Sequence, residues 1–235
     1  MPVAIGSKEL WPTAAWFDYI DLRLNGYGFH MRLMSGRVPY TDPRVVAVFD
    51  KWRELLEQQV FVANHVGMTW QESQALLYQG RSAMMLIGNF ITPNFPPEVR
   101  DKMDFFRFPE ITPGFGRYED APMNSVHIPS RARNKQDARK FLAFVARADV
   151  QERINAALLQ IPVNRAAKVA DDRFLQIGQQ LLVQADALAQ YFDRDTSKEL
   201  ATMAMKGFQE FMVKPDRLER ILGDIERVRQ RIYGP

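Results

Sequence analysis

The chain has no cysteine among its 235 residues. That excludes disulfides, thiolate metal sites and cysteine nucleophiles together, and leaves either redox compartment open. Long apolar runs are also missing: nothing approaches the ~18–20 residues that span a bilayer, so direct membrane insertion is not expected. The opening MPVAIGSKELWP lacks the basic and apolar regions of a secretory signal, so the chain as written carries no export signal. Neither sign of charge prevails. With 31 basic and 28 acidic residues the net charge is +3, too balanced for a general attraction to nucleic acid. The most basic stretch, Arg217 to Arg231, is interrupted by Glu219, Asp224 and Glu226, the pattern of a solvated helix face. The histidines, His30, His65 and His127, lie far apart and lack partners at metal-ligand spacing. No Gly-x-Ser-x-Gly elbow, Walker loop or dinucleotide fingerprint occurs, and no two carboxylates are paired by any motif. Neither an enzyme nor a metal or other cofactor is expected.

What is present is an ordinary globular composition, 46% hydrophobic and 25% charged, with 14 Pro and 13 Gly spread as punctuation. Helical periodicity prevails. Trp16, Ile20 and Leu24, with Phe17 beside them, form a stripe over Trp11 to Leu24, ended by Asn25-Gly26. Asp42 caps a second helix with Pro43 at its first position, and Thr69 with Glu72 makes a capping box for a third that ends at Gly80. Ser82 to Ile87 reads as a short strand covered on both faces, Asp104 to Phe108 as a second and Ser125 to Ile128 as a third. Between them, the prolines of Thr92 to Pro97 rule out regular structure and Gly114 to Asp120 reads as a polar loop. Helices follow over Asn134 to Val145, Val150 to Leu158 and Phe174 to Leu188. A capping box at Thr196 and Glu199 precedes two final helices split at Lys214-Pro215. The fold class is α/β with helix in large excess.

Aromatic residues stand beside hydrogen-bonding groups at breaks in structure: Trp11 before Pro12, Asn89-Phe90 after the first strand, Asn124 before the third, and Tyr191, Arg194 and Asp195 before a helix. This placement suits a neutral polyhydroxylated ligand. A pyranose offers apolar C–H faces to rings and hydroxyls to Asn, Asp and Arg. Each position taken alone is equally explained by packing, turn formation or capping.

The order WPTAAWFDYIDLRLNG, TDPRV, TWQESQALLYQGRSAMMLIGNF, DFFRFPEI, NSVHIPSRARNKQDARKFLAF, QIPVN, YFDRDTSKELATMAMKGFQEF and KPDRLERIL resembles the family-1 extracellular solute-binding proteins, the carbohydrate-capturing subunits of bacterial ABC importers. The resemblance implies a periplasmic-binding-protein-like class II fold, with sugar held between two lobes and closure presenting it to the membrane permease. It implies a periplasmic location for the full-length family member. Phe90 matches the family's usual sugar-stacking Trp, with a smaller face, and Asn89 the small polar residue before it. Asn124 falls where many members place a hydroxyl-binding residue, Trp11 in an aromatic segment near the ligand, and Tyr191 to Asp195 in a late cleft loop. The resemblance further implies that this is a C-terminal portion: 1–102 and 148–235 as two parts of the C-terminal lobe, 103–147 as a segment returning to a mostly missing N-terminal lobe. Exposed apolar surface around Phe105, Phe106 and Phe108 would follow. The alternative is a helical protein-interaction module without sugar binding, using unpaired sheet and a Met-rich helix, Met203, Met205 and Met212.

Overall fold

Helices form where apolar residues recur at helical spacing, and most begin on a residue able to cap them. The computed structural model describes residues 1–234. It opens with β1 (Val3–Ala4), α1 (Trp11–Leu24), α2 (Gly26–Met34), α3 (Pro43–Glu57), α4 (Trp70–Tyr78) and β2 (Met84–Met85). Next come α5 (Pro97–Arg100), β3 (Tyr118–Asp120), α6 (Lys135–Val145), α7 (Ala148–Leu158) and α8 (Arg173–Val183). The chain closes with β4 (Ala187–Ala189), α9 (Phe192–Asp195), α10 (Lys198–Val213) and α11 (Leu218–Tyr233). Short 3-10 helices occupy His65–Gly67, Asn89–Asn94 and Pro215–Arg217.

These elements form two compact units, Met1–Ile87 with Phe108–Pro122 and Ala185–Pro235, and Gly88–Arg107 with Met123–Gln184. The first unit owns a core of rings: Phe17 stacks on Phe208 at 4.6 Å, Phe49 meets Phe211 edge-on at 4.8 Å, and Phe192 meets Phe208 at 5.1 Å. All five are fully buried, and offset and edge-to-face pairs of this kind add to the area they remove from water. α11 lays Ile221, Leu222, Ile225 and Val228 on this core, as its stripe predicts. It comes close to α10 because Gly207 has no side chain; a Cβ there would stand 2.7 Å from Ile221 Cγ2. Behind the helix, buried Glu226 accepts from the Arg229 guanidinium at 2.8–3.0 Å and from Tyr40 N–H at 2.8 Å, while Arg229 also donates to Gly36 O.

The caps at Asp42 and Thr69 form as read, Asp42 accepting from Arg44 N–H and Thr69 exchanging bonds with Glu72. The capping box predicted at Thr196 and Glu199 does not; Ser197 caps α10 by accepting from Leu200 N–H. α2 has no counterpart in the periodicity reading. Gly26 does take φ +76° after α1, but the chain turns straight into another helix there.

The strands differ most from expectation. Ser82 to Ile87 yields only Met84–Met85, in parallel register with Val3–Ala4, because its sole ladder neighbour is two residues long. It is not covered on both faces, since Met84 is exposed. Asp104 to Phe108 and Ser125 to Ile128 join no ladder among the described residues. The second sheet instead pairs Tyr118–Asp120, expected as loop, with Ala187–Ala189, whose first two residues were expected to end a helix; α8 stops at Val183. Thr92 to Pro97 is regular in part, since a 3-10 turn tolerates Pro93 and Pro97 sits at the start of α5.

In the second unit Asp172 caps α8, pairs with Arg100, and leaves Phe95 edge-on to Phe174 at 5.3 Å. Asn134 caps α6, yet no residue of α6 is buried, and Phe141 is 56% exposed. Phe106 is 62% exposed, as expected, whereas Phe108, itself a residue of the first unit, is not an exposed group: it stacks on Tyr19 at 5.0 Å and packs against that unit's core. The Met-rich helix turns mostly inward, with Met212 buried and Met205 packed on the core.

Candidate functional site

Three rings gather at one place in the first unit, each brought there by a helix start. Leu10 holds φ +68° immediately before α1, a left-handed conformation that costs a residue with a side chain about 1–2 kcal/mol. Such strain persists where surrounding structure imposes it, and here it launches Trp11 as the first residue of α1. Trp70 is likewise the first residue of α4, its N–H bonded to Glu9 Oε2 at 3.2 Å. Tyr191 directly precedes α9 and donates its hydroxyl to Trp11 O at 3.1 Å. Trp11 meets Trp70 at 5.9 Å and Tyr191 at 5.7 Å, both edge-on. All three side chains are half-buried.

Carboxylates stand beside this wall. The β3–β4 ladder sets Asp120 opposite Ala189, two residues before Tyr191. Both Asp120 carboxylate oxygens are closed to solvent and accept no hydrogen bond. Burial pushes the Asp120 carboxyl well above the usual range, reinforced by Asp195, Asp193 and Glu119 and opposed by Arg194. Asp18, fully buried on α1, spends one oxygen on Phe192 N–H at 3.0 Å and leaves the other unbonded, 4.0 Å from His30 Nε2. Its carboxyl is raised by burial and then by Asp120. Asp195 accepts from Gln190 N–H at 2.9 Å, and burial raises it too. Tyr19 donates to Glu119, which also pairs with Arg23 at 3.3 Å. Burial and the Asp120 charge likewise raise the Tyr191 phenol. Among the described residues no three His, Asp or Glu are disposed to hold a metal ion.

Of the sequence-predicted residues, Trp11, Tyr191, Arg194 and Asp195 therefore come together in the first unit. Asn89, Phe90 and Asn124 belong to the second. Asn89 opens the 3-10 turn and does not follow a strand end directly; its side-chain nitrogen lies against Gly178 of α8, where a Cβ would be 2.8 Å away. Phe90 is 40% exposed, its ring folded back over Gly88, and Asn124 is exposed. Trp70, Asp120 and Asp18 were not singled out. Trp70 was detectable, being an aromatic residue at the start of a capped helix, as Trp11 is. Asp120 carried no local signal, because pairing with a strand 69 residues onward places it.

A sequence profile of the bacterial extracellular solute-binding proteins matches residues 1–152. The chain belongs to that family. It is a family of binding proteins, not of enzymes. An uncharacterized ABC transporter extracellular-binding protein of Pyrococcus horikoshii is 25% identical over 167 residues, 71% of this chain and 36% of the relative. Among solved structures, the bacterial solute receptor AcbH, described as having an exclusive substrate preference for β-D-galactopyranose, superposes with TM-score 0.91 at 28% identity. That match covers 99% of this chain and 60% of AcbH. A chitin oligosaccharide binding protein matches at TM-score 0.80 and 18% identity over 98% of this chain and 60% of its own, which speaks to the fold alone. The fold is thus the helix-rich α/β fold of periplasmic-type binding proteins, and the chain spans about 60% of these solved relatives and 36% of the curated one. No helix among the described residues is long and apolar enough to cross a membrane.

Proposed function

We propose that the chain is part of the solute-binding component of an ABC importer and holds a mono- or oligosaccharide for delivery to the permease. One observation carries this: in a member of a solute-binding family, the Trp11–Trp70–Tyr191 wall stands beside carboxyl groups with unspent hydrogen-bonding capacity. Ring faces suit the C–H surface of a pyranose, and carboxyl oxygens suit its hydroxyls. The galactopyranose preference described for AcbH makes a galactose-type pyranose the first ligand to try. Phe90 as a stacking ring, Asn89 before it and Asn124 as a hydroxyl partner are proposed from the family resemblance alone, all three within the second unit. Of residues 103–147, expected to return to a second lobe, 108–122 fold within the first unit, and the assignment is kept for 123–147, where α6 exposes Phe141 and Phe144. A periplasmic location belongs to the same reading.

Titration calorimetry of the chain with D-galactose, D-glucose and their disaccharides tests it. Saturable heat with at least one, weakened by Trp11→Ala by about 1 kcal/mol or more, is the expected result. Absence of heat with all of them, at ligand concentrations well above the millimolar range, would refute the assignment.

A further inference from the structure

The aromatic wall differs from a site built only for neutral hydroxyls in the sign and state of the groups beside it. Asp120, Asp21 and Asp195 stand close enough to Asp18, and Asp195, Asp193 and Glu119 close enough to Asp120, to raise those two carboxyls beyond the effect of burial. The basic groups opposing them are Arg194, Arg23 and His30; Arg23 is already engaged by Glu119 and by the carbonyl oxygens of Phe108 and Tyr118, and His30 by Asp21. Asp120 is enclosed with both oxygens unspent, while the open oxygen of Asp18 faces the likewise unbonded Nε2 of His30 at 4.0 Å. Buried acceptors without donors are rare in folded proteins and point to a missing partner. A partner for Asp120 must bring hydrogen-bond donors, and positive charge suits the acidic neighbours around it. Beside them stand three rings, whose faces attract a cation.

We infer that the solute recognised at this wall carries a protonated amine, as a 2-amino-2-deoxy pyranose does. This deepens the saccharide reading and rests on it. An ammonium supplies three donors and a charge at once, whereas a neutral hydroxyl supplies one donor and no charge. The groups facing Asp120 are Asp193, Arg194 and Asp195 from α9, Glu119 beside it, and Asp18, Tyr19 and Tyr191; those facing Asp18 are Asp21, His30, Tyr40, Asp120 and Asp195. Burial and acidic neighbours raise the Asp18 and Asp120 carboxyls, and an arriving ammonium acts in the opposite direction, so binding favours release of a proton to solvent.

The test is calorimetry of the chain with D-galactosamine, N-acetyl-D-galactosamine and D-galactose near neutral pH, in two buffers of different ionisation enthalpy. Galactosamine is expected to bind about tenfold or more tightly than either neutral sugar. Its heat should depend on the buffer, showing proton release, and its affinity should fall with added salt. In Asp120→Asn the amine-to-neutral ratio should drop toward one; Asp18→Asn, judged by the same ratio, covers the case in which the first variant folds poorly. Galactose or the N-acetyl sugar binding as well as the amine would overturn the inference while leaving the saccharide reading standing. A ratio unchanged in both folded variants would overturn it equally. Failure of all three sugars would overturn this inference, and the saccharide reading falls with it only if D-glucose and the disaccharides also give no heat.

Discussion

Arg229→Met isolates the most heavily bonded ion pair in the first unit. Arg229 gives Glu226 three guanidinium bonds at 2.8–3.0 Å and gives Gly36 O a fourth at 2.8 Å. The two side chains are 7% and 9% exposed. Burial alone would raise the Glu226 carboxyl, but the Arg229 bonds, the Tyr40 N–H and the Gln230 amide carry it below the usual range. Methionine keeps the length of the stem and removes every one of those bonds, leaving a carboxylate enclosed with only the Tyr40 and Gln230 donors. Breaking one side of a buried pair costs about 3–5 kcal/mol, which in a chain of this size lowers Tm by roughly 10 °C. All four tryptophans, Trp11, Trp16, Trp52 and Trp70, lie in the first unit, so urea unfolding followed by tryptophan fluorescence reports the loss. A group whose folded pKa is depressed contributes stability above its unfolded pKa and loses it as pH falls through the folded value. The difference between wild type and variant should therefore shrink at acid pH. Glu226→Leu combined with Arg229→Met should recover much of the loss, since an apolar replacement of the whole pair leaves no enclosed charge. A single variant within about 0.5 kcal/mol of wild type at pH 7 would refute the reasoning.

Asp120→Asn should act in the opposite direction: with a folded pKa above the unfolded one, the carboxyl costs nothing in acid and destabilises increasingly as pH rises past ~4. The variant should be more stable than wild type at pH 7 in the absence of ligand, with the gain closing toward pH 4; urea midpoints across that range check it. Gly6→Ala puts a Cβ 2.0 Å from Thr69 O, backbone that has no room to give, and should cost about 3 kcal/mol in the same assay. Thr69→Ala removes the α4 capping box and should cost about 1 kcal/mol, whereas Thr69→Ser should restore most of it.

Features fixed by neighbours in sequence were legible. The Asp42-Pro43 start, the Thr69–Glu72 box, the Lys214-Pro215 break and the apolar face of α11 all follow from side chains a few residues apart, and all are present. The sheets were not, because each ladder is two or three residues long and its partner lies 69 or more positions away. Alternation at Asp104 to Phe108 was a sound signal for an extended segment, but Phe108 satisfies it by packing on Tyr19 without a ladder. The site divides in the same way. Trp11 and Tyr191 announced themselves as aromatic residues at helix starts, whereas Asp18 reads as one of many helical carboxylates until α1, β3 and α9 surround it.

The account stands most directly on whether the wall of Trp11, Trp70 and Tyr191 takes a sugar. Titrating the chain with D-galactose and D-galactosamine while following tryptophan emission measures this, because two of the four indoles belong to the wall. The prediction is a saturable change in emission that Tyr191→Ala weakens and Trp16→Phe, a core replacement away from the wall, still shows. Emission that stays constant for both sugars, with the protein folded, would contradict it.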